Sequence, residues 1–380
     1  MEKLQAPALD DAPLSASRVA ILFAPHLLAL LFPLNALAFV ATGPHRWWAS
    51  LLFLVPVFGS VWVDAKSGTE TRQPAAKIPA WPFDVLLVAL VAIQVANVAL
   101  LARMFSTHGP LAGRIVGAIA GMIAVGSSSG YSGIVVAHEL IHRRGRAWVA
   151  LGRLVLSTVM YEHFYTEHVR GHHVRVGTDE DPATARFGET FQRFYFRTVP
   201  AQFRSAWRLE KARLGDPSMR WYDPRLLRSR VLHGVLFECS LAAALALACG
   251  PVALAVHLMQ AWWATRALEV VNYFEHWGLR REGRRVLPVH SWDTHSRFTY
   301  FALTGLSRHA DHHAFSARPY QLLRVWEESP KLPRGYLAMF PLVLGQNPRF
   351  QRLMTAELQR RKLGPFAPGE SDRSSSTVAA

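Results

Sequence analysis

Cysteine is nearly absent from this 380-residue chain: Cys239 and Cys249 are the only two. Both sit in one apolar run, which supports neither a disulfide framework nor a thiolate metal site. Charge is scarce too, at 18% of residues against 51% apolar, a balance that a soluble domain rarely carries. There is no G-x-G-x-x-G nucleotide fingerprint, no C-x-x-C pair and no flavin signature. No bound flavin, haem or nucleotide is therefore expected, and electrons for any redox step must come from another protein. The opening MEKLQAPALDDAPLS lacks a basic segment running into a short apolar core, so a cleaved signal peptide is not expected.

What charge there is leans positive, 42 Lys and Arg against 27 Asp and Glu. That excess suits nucleic acid, an anionic membrane face or an acidic partner. Its placement decides, because most arginines fall in loops between and after apolar segments, as in cytoplasmic loops of a membrane protein. Nucleic acid is not an expected partner.

Apolar runs long enough for a hydrocarbon core of about 30 Å fall at residues 19–42, 47–64, 81–103, 111–142, 231–249 and 251–274. The expected fold is therefore all-α and integral to the membrane, with six spans. Pro25 and Pro33 predict a kink in the first, and Trp47 and Trp48 anchor the second at the interface. Gly117, Gly121, Gly126, Gly130 and Gly133 in the fourth invite a neighbouring helix to pack closely. Trp148 to Met160 is too short for a span and reads as an interfacial or re-entrant helix. Residues 1–17 and 366–380 read as disordered tails around one domain, 18–365. Six spans place both termini on one side, together with the basic 65–80 loop, the 143–230 region and the polar tail after the last span. The positive-inside rule makes that side cytoplasmic.

Nine of the seventeen histidines gather in four clusters, all on that side. His138 and His142 in HELIH stand one helical turn apart on one face. His168, His172 and His173 follow in EHVRGHH, His276 in NYFEHWG, and His309, His312 and His313 in RHADHH. HELIH alone matches the zinc-protease pattern with Glu139 as general base. That reading leaves seven clustered histidines unused, so two metal ions are expected. An i, i+4 pair, His168 with His172, should share one ion while His173 points to the other; His309, His312 and His313 repeat the arrangement. Imidazole suits iron, copper or zinc alike. A metal carrier would spread its ligands along the spans, whereas these gather at one end. His26 and His163 stand apart as packing residues, and His290 and His295 as supporting ones.

HELIHR, EHVRGHH followed by VGTDEDPATARFGE, NYFEHWGL, and RHADHHAFSARPYQLLR resemble the signatures of the integral-membrane alkane 1-monooxygenases, within the histidine-rich diiron membrane hydroxylases and desaturases. The likeness runs from about Gly133 to Pro341. It implies that the nine clustered histidines hold two iron ions at the cytoplasmic end of the spans. It implies insertion of one oxygen atom from O2 into the terminal methyl group of an n-alkane or similar hydrocarbon, drawn from the lipid bilayer. The electrons are those of rubredoxin and its NADH-dependent reductase, and the location is a bacterial inner (cytoplasmic) membrane, multi-pass. An aryl-methyl monooxygenase of the xylene type and a fatty-acyl desaturase or hydroxylase are the alternatives that the motifs separate less well.

Glu139, Glu167, Asn272, Glu275 and Asp311 adjoin the histidines and are candidates to orient the imidazoles, with helix capping or ion pairing as the competing role. One of Asp179, Glu180 and Asp181 is expected to orient a ligand, and Asp181 is the one retained. Arg143, Arg144, Arg170 and Arg175 form the candidate docking surface for an acidic electron carrier. The chain departs from the family pattern at Trp277, Ala310, Asp293 and in the Leu306-Ser307-Arg308 approach to His309. No proposed ligand is lost, so these departures bear on substrate preference.

Overall fold

The computed structural model describes residues 14–106 and 111–368. Among these the chain is all helix and loop, joined only by two isolated backbone bridges. Residues 1–13 and 369–380, most of both expected tails, lie outside the described residues; Ala16 and Ser17, expected in the first tail, already belong to the first helix.

Five helical segments are long and apolar enough to cross a membrane: Ala16–Thr42, Trp47–Lys66, Trp81–Ser106, Leu111–Ile141 and Arg230–Cys249. The sixth expected span exists as a 26-residue helix, Pro251–His276, but is too polar to qualify on composition. Its His257, Gln260, Glu269, Asn272 and Glu275 are buried, because it is the central helix. It packs against Leu111–Ser128, Trp81–Ser106 and Arg230–Cys249, so protein surrounds what lipid would not tolerate.

Prolines interrupt the first two segments where the sequence places them. Ala24–Leu30 tightens to a 3-10 turn with Pro25 near its start, and the second helix breaks at Phe53 and Leu54, just before Pro56. The glycines of the fourth segment do what their size permits. A Cβ on Gly126 would stand 2.8 Å from Trp263 Cβ, and one on Gly130 would stand 3.2 Å from Ala267 Cβ. The central helix thus lies directly against their backbone. Between Ser129 and Ile134 the helix widens to a π turn before the first histidines.

Two regions are more ordered than their polarity suggests. Residues 191–213 form one long helix, Phe191–Arg213, whose Phe191, Phe194, Thr198, Gln202 and Ser205 recur at helical spacing and are buried. After the last histidines the chain is no loose polar tail. Tyr336–Gly345 and Asn347–Arg361 fold back, burying Tyr336, Met339, Phe350, Met354 and Leu358 in the main core. Tyr336–Gly345 is too short to span a bilayer, so it fills the protein interior instead. Buried Asp64, near the end of the second segment, ties these parts together. It accepts from Ser296 Oγ at 2.5 Å, Thr299 Oγ1 at 2.8 Å and the backbone amide of Ala338 at 3.1 Å, which offsets the cost of burying its charge.

The helix Arg146–Ser157 stands where an interfacial helix was expected and rests on Val135–Ile141. The histidine clusters lie on Val135–Ile141 and its C-cap, in the 168–173 turn, at the last residue of Pro251–His276 and on His309–Ala314.

Candidate metal centre

The nine clustered histidines converge into two groups. His138, His142, His168, His173 and His312 form one, and His172, His276, His309 and His313 the other, each with ligand atoms within 4.8 Å of one another. The closest Nε2–Nε2 approaches all fall within a group. They are 3.0 Å for His168 and His173, 3.1 Å for His173 and His312, 3.0 Å for His309 and His313, 3.2 Å for His276 and His309, and 3.2 Å for His172 and His313. Two nitrogens bound at right angles to one ion at about 2.1 Å would lie about 3.0 Å apart. The donor sets therefore fit two ions, with five and four imidazoles.

Local backbone geometry decides which histidine goes where, and it differs from the α-helical expectation. Residues His168–His172 are π-helical. In that wider turn a residue meets its neighbour five places on, so His168 pairs with His173, and His172 is turned to the second group. The Val135–Ile141 and His309–Ala314 helices are regular, and there the i, i+4 pairs, His138 with His142 and His309 with His313, stay together. Gly171 permits the wide turn: a Cβ there would strike the Arg175 guanidinium and stand 2.6 Å from Glu167 Oε1.

Burial first, and neighbouring imidazoles second, hold His168, His173, His309, His312 and His313 well below the usual imidazole range. They are neutral at physiological pH, the form that binds metal. His138 Nε2 and His142 Nε2 are buried without a hydrogen-bond partner, as donors reserved for an ion would be. Among the described residues both groups consist of histidine alone.

The flanking carboxylates divide by what they touch. Asp181 accepts from His172 Nδ1 at 2.9 Å and from Thr184 Oγ1 at 2.6 Å, fixing the tautomer that turns Nε2 inward. Asp179 and Glu180 are exposed. Glu275 Oε2 lies 3.2 Å from His309 Nε2 while Oε1 accepts from Tyr336 at 2.7 Å. Glu139 instead pairs with Arg143, Glu167 with Arg175, and Asn272 donates to Glu269 at 3.2 Å. Asp311 accepts from Arg318, Trp326 and the Arg324 amide, pinning its helix from behind. With Glu139 held by Arg143, the protease geometry that needs it free beside the metal is not formed. Alanine in place of Asp181 is expected to weaken iron retention or turnover by roughly 10–100-fold, read from iron per chain and product formed.

Tyr336 carries no signal in the sequence, and Asp293 only that of a departure from the family pattern. Asp293 Oδ1 accepts from the Ala310 amide at 2.8 Å, so two family departures touch each other behind the ligand helix. Neither they nor Trp277 lines the cavity described next. His163 packs on Tyr161 and Phe203 outside both groups, and His290 Nδ1 accepts from the Leu287 amide; neither His290 nor His295 belongs to either group.

A narrow apolar cavity of about 30 Å³ ends at the histidines. One wall is Gly130, Tyr131, Ile134, Val135 and His138; the facing wall is Ala267, Leu268, Val271, Asn272 and Glu275. Phe164, His168, Leu303, Leu306, His309, Leu337 and Phe340 complete it. Of the four proposed docking arginines, Arg143 is held by Asp84 and Glu139, and Arg175 by Glu167 and Ser205. Arg144 and Arg170 remain exposed.

Residues 109–343 match the fatty acid desaturase family. The chain is 35% identical over 334 residues to alkane 1-monooxygenase 1 of Pseudomonas aeruginosa, covering 84% of this chain and 85% of that relative. It is 32% identical over 354 residues to alkane 1-monooxygenase 2 of Alcanivorax borkumensis, covering 88% and 91%. A more distant relative, 25% identical over 208 residues and covering 54% and 55%, is the hydroxylase component of a xylene/toluene monooxygenase from Pseudomonas putida.

Proposed function

The chain belongs to the histidine-rich fatty acid desaturase family and, within it, to the alkane 1-monooxygenases, and from that premise we propose a diiron hydroxylase acting on the terminal methyl of n-alkanes. The observation that carries this reading is the pair of all-histidine groups, five and four, at the end of an apolar cavity. Five imidazoles exceed what a tetrahedral zinc site takes, and a mostly apolar cavity wall suits a substrate without a polar handle.

Iron, when bound, supplies the oxidising chemistry that places one atom of O2 into an unactivated C–H bond. Hydrocarbon, O2, two electrons and two protons give primary alcohol and water. The protein contributes position. The imidazoles hold neutral donors, Asp181 and Glu275 orient and flank them, and the leucines, isoleucine and valines of the cavity align the chain and exclude water. Glu275 reaches both the cavity and His309, where its carboxyl can hold a proton. At about 30 Å³ the cavity admits only about two waters, so Leu303, Leu306 and Phe340 must swing aside for a hydrocarbon.

The proposed topology is six crossings of a bacterial inner membrane, with both termini and the metal centre on the cytoplasmic side. Electrons come from rubredoxin, an acidic carrier, guided by the exposed Arg144 and Arg170. Raising salt from about 0.1 M to about 1 M shortens screening from about 10 Å to about 3 Å. Carrier-dependent turnover is expected to fall severalfold over that range, and an Arg144→Gln, Arg170→Gln enzyme to start lower and fall less. A rate indifferent to both changes would remove the docking assignment.

The deciding experiment is metal analysis of the detergent-purified protein together with turnover of octane by rubredoxin, its reductase and NADH. Two irons per chain with 1-octanol formed is the expected result. Two irons with product only from an alkylbenzene or an acyl substrate would move the chain to its xylene-type or acyl relatives, and one zinc would end the diiron reading.

A further inference from the structure

A second cavity, of about 160 Å³, lies beside the metal centre and is unlike the first in chemistry. It sits between the start of the first helix, the 70–78 loop and the segment that leads into His309. Three side chains that line it are nine-tenths buried and carry polar atoms with no partner. These are His26 Nδ1, Arg308 Nε, and both amide atoms of Gln321, each residue being 4% exposed. Leaving such groups unsatisfied is costly, and all three belong to residues that line one space, so a polar occupant is called for.

Charge selects its sign. Arg18, Arg72 and Arg308 line the space with Glu70 as the one carboxylate among the lining residues. Arg72 clamps Glu70 through Nε at 2.8 Å and Nη2 at 2.5 Å. Arg308 spends its two terminal nitrogens on neutral acceptors, the Leu323 carbonyl at 2.5 Å and the Arg72 carbonyl at 2.7 Å, and lies over the Tyr300 ring. Arg18 has no carboxylate partner among the described residues. Two guanidinium charges are thus left unpaired around a space with donors and one amide acceptor.

Gln73 also lines it but is bonded to the Val325 backbone; most of the rest is apolar, with Ile21, Leu22, Pro25, Ile78, Phe83 and Phe301. Ile21 is 63% exposed on the outer side of a helix apolar enough to cross a membrane. A small soluble anion has no use for that wall.

We propose that this cavity binds an amphiphile whose head carries a net negative charge, a long-chain carboxylate or an anionic phospholipid. The head pairs with Arg308 and Arg18 and bonds the Gln321 amide; the chain follows Ile21 and Leu22 toward lipid. Because Arg308 directly precedes His309, an occupied site braces the segment that carries three of the histidines. The inference does not depend on what the metal centre oxidises.

Native mass spectrometry of the full-length, iron-loaded protein tests it, with phosphatidylglycerol, phosphatidylcholine and hexadecanoate as probes. One tightly held anionic molecule is expected, with affinity lowered about tenfold by Arg18→Gln combined with Gln321→Leu, and iron content unchanged. Retention of phosphatidylglycerol alone identifies a membrane lipid as the source, retention of hexadecanoate alone a fatty acid, and retention of both the shared head. Equal binding of phosphatidylcholine, or undiminished binding in the double variant, overturns the proposal. Should the double variant not fold, Arg18→Gln alone decides, since that side chain is exposed; unchanged affinity for the anionic probes in it overturns the proposal equally.

Discussion

A His276→Ala enzyme is expected to hold about one iron per chain and to form no detectable alcohol. His276 is one of only four imidazoles in its group, and removal leaves three, a weaker hold than the four that remain when the larger group loses one. The same outcome is expected for His172, His309 and His313. The other group starts with five, so His142→Ala, whose histidine caps the end of its helix, leaves four and retains more iron. Activity should still fall beyond the roughly 10–100-fold that losing an orienting partner costs, because the position and charge of the ion change. The two groups should therefore separate in iron content while looking alike in turnover. An active, iron-replete His276→Ala protein would break the nine-ligand assignment, and equal iron in both series would break the five-and-four division.

That division was only partly legible in the sequence. Histidine type and clustering were enough to bring nine residues to one end of the bundle, because ligand spacing is local and helical. The pairing of His168 was not, since the sequence offers no sign that residues 168–172 leave the α-helical register; Gly171, where a side chain would strike Glu167 and Arg175, is the trace it leaves. Asp181 could be singled out because it lies nine residues from its imidazole. Tyr336 reaches the site from a distant segment and carries no motif of its own, while Asp293 is legible only as a departure from the family pattern and not as the acceptor behind the ligand helix. Glu139 was legible as a possible base, but Arg143, four residues on, and Asp84, on another helix, settle its role.

For the fold, hydropathy places the ends of the six expected helical runs to within a few residues, but gives no sign of the polar helix Phe191–Arg213. It understates the region after His313, where the ten residues of Tyr336–Gly345 are too few for a span and read as part of a tail. The 350, 354, 358 repeat of Phe, Met and Leu was the available signal for the last long helix. The polar central helix shows the opposite case: its composition is that of a core element, and its length that of a crossing.

Tyr131 is where substrate length should be decided. The apolar cavity runs along two helices that approach the histidines together, from Gly130 and Ala267 at one end to His138 and Glu275 at the other. Seven residues of helix separate Tyr131 from His138, about 10 Å at about 1.5 Å per residue. At the far end the Tyr131 ring meets Phe32 at 5.2 Å and Phe340 at 5.4 Å, both edge-on, which closes the space to a longer chain. Tyr131→Leu removes most of that wall. The preference for dodecane over octane, taken as a ratio of kcat/KM values, is expected to rise by about tenfold, the lower end of what one extra methylene in an apolar pocket is worth. Loss of a buried ring also costs roughly 2–5 kcal/mol of stability, and less folded enzyme would lower both rates. The ratio is immune to that, because both substrates meet the same folded fraction. A ratio that stays fixed while the melting temperature drops would show that Tyr131 is only core, and that the hydrocarbon reaches the metal by another path.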